Sequence, residues 1–189
     1  MRLAGPDGPA CDQTSADEVQ EALTRAAGLD NHVSFLGSDI ADLNLDGFDA
    51  AYTMHVQMNV ADKKTFFAEI ARRLRPGARL AAFEVCATGA LQPTPPLPWS
   101  LDGTDSYLAT ADQLRDTIAS GGFETLEWID ETQWVLRWFD NVGKRIVAGA
   151  GAATLPALLN DGPARMMNFA LALNTGVVSV HRGAFIRTA

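Results

Sequence analysis

The segment FDAAYTMHVQMNV, Phe48 to Val60, followed by EIARRLRPGARLAAFEV, Glu69 to Val85, decides the fold. Phe48 to Met54 is too apolar to face water on either side, which predicts an interior strand of a parallel sheet. Between Asp62 and Leu74, the residues Phe66, Phe67, Ile70 and Leu74 recur at helical spacing, and Pro76-Gly77 stops the helix. Arg79 to Val85 is a second buried strand. Strand, helix and strand make one unit of a doubly wound α/β sheet. The loop that follows the first strand is where such sheets bind ligands.

The same alternation runs outward from this unit. Ser15 and Glu18 have the spacing of a capping box, Val19 and Leu23 share a face, and Gly28 can end that helix. His32 to Leu36 reads as a short strand and Gly37-Ser38-Asp39 as a turn. The run from Gly89 to Gly103 holds four prolines and is irregular. Thr110 with Gln113 opens a capped helix that Gly121-Gly122 closes, and Thr125 to Ile129 is a strand. Glu131 to Val147 and Pro163 to Leu173 are helical, and Val177 to Ile186 is a final strand. The expectation is a single α/β domain over residues 1–189, doubly wound with a mostly parallel sheet, behind an irregular segment from Met1 to Ala10.

A hydrophobic content of 47% with 20% charged residues is that of a globular chain. A formal charge of −8 offers no basic field, which argues against nucleic acid and anionic membrane as partners. Without an apolar span or a signal-peptide core, a cytoplasmic location is expected. Cys11 and Cys86 lack metal-ligand spacing and read as buried free thiols, with a disulfide as the minor alternative, so no metal is expected.

The stretch Met54 to Asn59 (MHVQMN), the helix end Leu74 to Gly77 (LRPG), the pair Pro98-Trp99 and the pair Gly122-Phe123 together resemble the class I S-adenosylmethionine-dependent methyltransferases. In detail they look like the small-molecule N-methyltransferases of the sarcosine and dimethylglycine type. The resemblance runs from about Asp12 to the C-terminus and implies a Rossmann-like fold, S-adenosyl-L-methionine as cofactor and a small acceptor, an amine. It departs at Ala78, where a second glycine is usual.

By this resemblance Asp12 accepts from the ribose hydroxyls, although an aspartate before Thr14-Ser15 is also a good helix cap. Asp39 accepts from the adenine amino group while Ile40 packs on the purine, the bland alternative being a turn aspartate. Met54 and His55 contact the cofactor at the strand end, and Gln57 and Trp99 contact the substrate. His55 is the candidate proton acceptor, or else a residue that hydrogen-bonds the backbone in a tight turn. Trp134 and Trp138, four apart, read as a buried helix face, and Lys63-Lys64 and Arg72-Arg73 as solvated faces.

The glycine-rich loop that opens such domains does not occur in these 189 residues. Fewer than a dozen residues separate Leu3 from Asp12, too few for a strand and its crossover helix. The expectation is a fold with its first strand-helix unit missing and weak cofactor affinity. Such a chain is truncated, completed by a partner, or a non-catalytic protein that keeps the fold for binding or assembly. The bared sheet edge would favour homo-oligomers.

Overall fold

The structure, a computed structural model, describes residues 13–147 and 159–188 and divides into two compact units, Met1–Asn44 and Leu45–Ala189. In the first, α1 (Gln13–Ala26) begins ahead of Ser15, so that serine lies inside the helix. Gly28, at φ +69°, ends it in the left-handed conformation a Cβ resists. The expected strand at His32 to Leu36 is absent: these residues enter no ladder, and Val33, Phe35 and Leu36 are exposed. A strand exists only where a neighbouring strand takes its amides, and none among the described residues does; the His32 and Val33 amides donate to the Leu29 carbonyl instead. A single 3₁₀ turn, Ile40–Asp42, follows.

In the second unit the elements are β1 (Phe48–Met54), α2 (Lys63–Arg73), β2 (Leu74–Ala87), α3 (Ala111–Ser120), β3 (Phe123–Asp130), α4 (Thr132–Val147), α5 (Gly162–Asn174) and β4 (Val178–Arg187). Asp62 caps α2 by accepting from the Thr65 amide at 3.0 Å, and Thr110 with Gln113 forms the full capping box of α3. β2 starts at Leu74, earlier than expected. The LRPG segment is a strand with a break in register between Phe48↔Leu74 and Ala50↔Arg79, and Gly77 at φ +78° supplies the kink.

The sheet order is β1-β2-β4-β3. β1 and β2 pair in parallel, while β4 runs antiparallel to both β2 and β3, so three of the four strands share one direction. Among the described residues β1 is an end strand of this sheet, not an interior one, and Tyr52 is 77% exposed. The helices cover both faces. Val85 of β2 and Val178 and Val180 of β4 form a core with Val135 of α4 and Phe169, Ala172 and Leu173 of α5. By alternation Leu80, Ala82, Glu84 and Cys86 point to the opposite face, the one covered by α2 and α3. Cys86 is a buried free thiol, and Cys11 lies outside the described residues. Gly183 of β4 is required by close approach: a Cβ there would sit 2.5 Å from Phe185 Cε2 and 2.7 Å from Trp128 Cε3.

Candidate functional site

β1 ends in a turn that three successive residues of β2 hold. His55, at φ 52°, occupies the left-handed region, which costs a non-glycine residue about 1–3 kcal/mol and persists only where its surroundings impose it. Its amide donates to the Phe83 carbonyl at 2.9 Å. The next two amides, Val56 and Gln57, donate to Oε2 of Glu84 at 3.0 and 3.3 Å. The Gln57 side-chain amide donates to the Val85 carbonyl.

Glu84 is fully buried. Burial pushes its pKa up to about 7, against the opposing pull of the Thr53 hydroxyl, the two amides and Lys63. That hydroxyl favours the ionised form without completing a well-formed hydrogen bond. Lys63 itself is driven down to about 8, chiefly by burial. Its ammonium donates to the carbonyls of Val60, at 2.7 Å, and Tyr107.

Beside this turn, on the α4 and α5 face, lies a cavity of about 410 Å³. Phe83 and Val85 form its floor, Trp134, Val135, Trp138 and Phe139 of α4 one wall, and Met166 and Phe169 of α5 another. Pro98 and Trp99 close it from the proline-rich loop, and His55, Met58 and Asn59 line the remaining side. The aromatic rings meet edge to face: Trp99 on Phe169 at 5.5 Å, Phe139 on Phe169 at 5.7 Å and His55 on Phe83 at 5.5 Å.

The loop is pinned from two sides. Asn59 donates to the carbonyls of Trp99 (2.8 Å) and Asp105 (3.2 Å). From α5, Arg165 donates to the Leu97 carbonyl at 2.6 Å and Asn168 to that of Pro96 at 3.1 Å.

Among the described residues His55 is the one titratable side chain on the cavity wall; the Asn59 N–H donors are committed to the loop, and the tryptophans there offer indole N–H donors only. The His55 imidazole makes no hydrogen bond among the described residues. Although the residue is exposed, the surrounding protein crowds its ring enough to lower the pKa by desolvation, which keeps it neutral at pH 7. A neutral imidazole facing an apolar hollow can accept a proton from a bound ligand.

Comparison with known proteins bears on this arrangement. A family model described as a methyltransferase domain matches residues 9–82. Among solved structures, a putative sarcosine dimethylglycine methyltransferase from Galdieria sulphuraria superposes with a TM-score of 0.69 at 13% identity, over 92% of this chain and 66% of that one. The fold is that of the class I methyltransferases. A geranyl diphosphate C-methyltransferase from Streptomyces coelicolor A3(2), solved with Mg2+, geranyl diphosphate and S-adenosyl-L-homocysteine, shares this methyltransferase fold with a TM-score of 0.67 at 16% identity, over 92% of this chain and 62% of that one. In sequence, an O-methyltransferase of Pyrenophora dematioidea is 32% identical over 123 residues, 64% of this chain and 45% of that protein. The chain spans less than half the length of the curated O-methyltransferases it matches, from 36% to 45%.

Of the residues expected at the site, His55 and Trp99 line the cavity. Gln57, expected to contact substrate, is not part of the cavity wall: it is fully buried with its side-chain amide bonded to the Val85 carbonyl, where it holds the turn. Met54 is exposed at the end of β1 and is not part of the cavity wall. In the first unit, the Asp39 carboxylate caps the 3₁₀ turn through the Ala41 amide at 2.8 Å, and Ile40 opens that turn. Asp12 lies outside the described residues.

Sequence reasoning missed Trp134 and Trp138, expected in the core and found about half exposed on the cavity wall. Their spacing of four residues was the available signal, and it marks an inward face without telling core from hollow. It also missed Lys63, read as solvated and found tying two carbonyls, and Arg73, which is buried. Among the described residues no group of three or more His, Cys, Asp or Glu side chains is arranged to hold a metal, and no helix is long and apolar enough to cross a membrane.

Proposed function

We propose that the chain serves S-adenosyl-L-methionine-dependent methyl transfer to an uncharged, largely apolar small molecule bound in the aromatic cavity, at an oxygen or carbon atom. The observation that carries this reading is the cavity wall: among the described residues it is made of aromatic and aliphatic side chains with few polar groups, and the His55 imidazole is its one titratable side chain. Such a wall gains free energy by removing apolar ligand surface from water and has no carboxylate to pair with an ammonium. The O-methyltransferases among the relatives support the same choice. The amine acceptor implied by the MHVQMN resemblance has only the tryptophan faces in its favour, through cation–π attraction.

The donor set of each unit suits parts of the cofactor. In the first, Asp39 presents a carboxylate that has accepted one amide and retains capacity for an adenine amino group, and Ile40 offers an apolar contact. In the second, Met54 and His55 stand at the carboxyl end of β1, the end where doubly wound sheets bind ligands. When bound, the cofactor supplies an electrophilic methyl on sulfur. The protein's share is to bind and orient the acceptor between Trp99 and Phe83, exclude water, and receive the acceptor's proton at the His55 imidazole.

The test is transfer of isotope-labelled methyl from S-adenosylmethionine to a panel of apolar hydroxyl compounds, apolar carbon nucleophiles and charged amines, with and without His55→Ala. Apolar hydroxyl or carbon acceptors should be labelled, and hydroxyl acceptors should lose most of their rate in the variant. Labelling confined to the amines, or no labelling together with no cofactor binding, would overturn the reading.

A further inference from the structure

We infer that Glu84 is a positioning residue for this site: its buried carboxylate locks the left-handed turn at His55 by taking the amides of Val56 and Gln57. Phe83, Glu84 and Val85 each contribute one clamp to the turn, through a carbonyl, a carboxylate and a carbonyl. The two carbonyl clamps are neutral, one on the His55 main-chain amide and one on the Gln57 side-chain amide. The middle clamp is charged, and a hydrogen bond to an ionised acceptor is roughly twice as strong as a neutral one. It is also the one that acts on the two residues after His55, where the chain must be held if φ is to stay at 52°.

The surroundings make this clamp sensitive to protonation. From α2, Lys63 is the cation acting on Glu84. Cys86 lies on the same face of β2, and His181 of β4 is the direct cross-strand partner of Glu84. Asp130 of β3 and Asp112 of α3 act on His181. Oε2 takes both amides, while Oε1 is buried without a hydrogen-bond partner. A proton therefore settles on Oε1 and turns the acceptor from a carboxylate into a weaker carboxylic acid. Burial brings that event close to neutral pH. Below it the turn loosens, and His55 leaves its place against Phe83.

The catalytic consequence rests on the methyl-transfer reading, whereas the lock itself does not, and the experiment separates them. In the ¹⁵N-labelled full chain, the Val56 and Gln57 amide protons are followed from pH 5 to 9. Both should move together with one midpoint near neutrality, and in Glu84→Gln both should be flat over that range. In turnover with an apolar acceptor, Glu84→Gln should lower kcat by roughly tenfold with KM little changed, and its kcat should no longer carry an ionisation near pH 7. Flat amides in the wild-type chain, or an unaltered titration in the variant, would overturn the proposal. Amides that titrate as stated in a chain that methylates nothing would uphold the lock and sink the methyl-transfer reading alone.

Discussion

Replacing Glu84 by glutamine should make the protein more stable at pH 7.5 and leave it nearly unchanged at pH 4. Glutamine has the shape of the protonated side chain and never ionises. In the unfolded chain Glu84 titrates near its ordinary 4.5, and in the fold burial raises this to about 7. Between those values the folded state holds the proton that the unfolded state has released. Wild-type stability therefore falls as pH rises through the interval, and the loss is complete above the folded value. About 7 less 4.5 is roughly 2.5 units, which at 1.36 kcal/mol per unit is on the order of 3 kcal/mol.

The assay is denaturant unfolding of both proteins at half-unit steps from pH 4 to 7.5. His55 and His181, whose pKa values are lowered by burial, contribute the opposite slope near pH 6, but they are common to both proteins and cancel in the difference. The stability of the variant relative to wild type should climb with pH by about 3 kcal/mol. A difference that stays constant, or that falls with pH, would refute the reasoning. A variant that gains stability while losing turnover would be a local case of an active site held at the expense of the fold.

Gly183→Ala should cost about 1–3 kcal/mol in the same unfolding assay, because its Cβ would lie 2.5 Å from the Phe185 ring; a silent substitution would mean the strands part easily there. Cys86 should resist iodoacetamide in the native protein, since it is sealed from solvent and its thiol is pushed up to about 12; peptide mapping that finds it alkylated before unfolding would contradict this. Phe169→Ala should destabilise the chain by about 3–5 kcal/mol and widen the cavity, shifting preference towards bulkier acceptors in competition assays; unchanged selectivity would remove this ring from the acceptor wall.

The alternation of strands and helices was legible in the sequence because strands leave short apolar runs, as in Leu80 to Phe83, and helices leave apolar residues at helical spacing, as in Phe66, Phe67 and Ile70. The capping signals at Thr110 and Gly121 were legible for a similar reason: they act through neighbours only a few residues away. His55 and Trp99 stood out because a strand end and a proline-rich loop are places a sheet offers to ligands. What stayed hidden depends on contacts between distant residues. Glu84 and Gln57 meet across 27 positions, and Lys63 and Tyr107 across 44. The apolar run at Phe48 to Met54 suggested an interior strand, yet composition does not say which strands stand beside it. The segment at His32 to Leu36 has the residues of a strand without the partner that would make it one.

Among the described residues, every side-chain anchor that reaches the proline-rich loop and its continuation to Tyr107 from outside that stretch ends on a main-chain oxygen, those of Pro96, Leu97, Trp99, Asp105 and Tyr107. A carbonyl is present whatever the side chain is. Pro98 can therefore be exchanged without giving up these fastenings, whereas Trp99 adds a tie of its own, its indole N–H donating to Ser106 Oγ at 3.0 Å. The lid is a rigid frame with interchangeable tiles. Randomising position 98 should yield a library in which most members fold and many differ in what they bind, whereas the same effort spent on Asn59 or Arg165 would dismantle the frame.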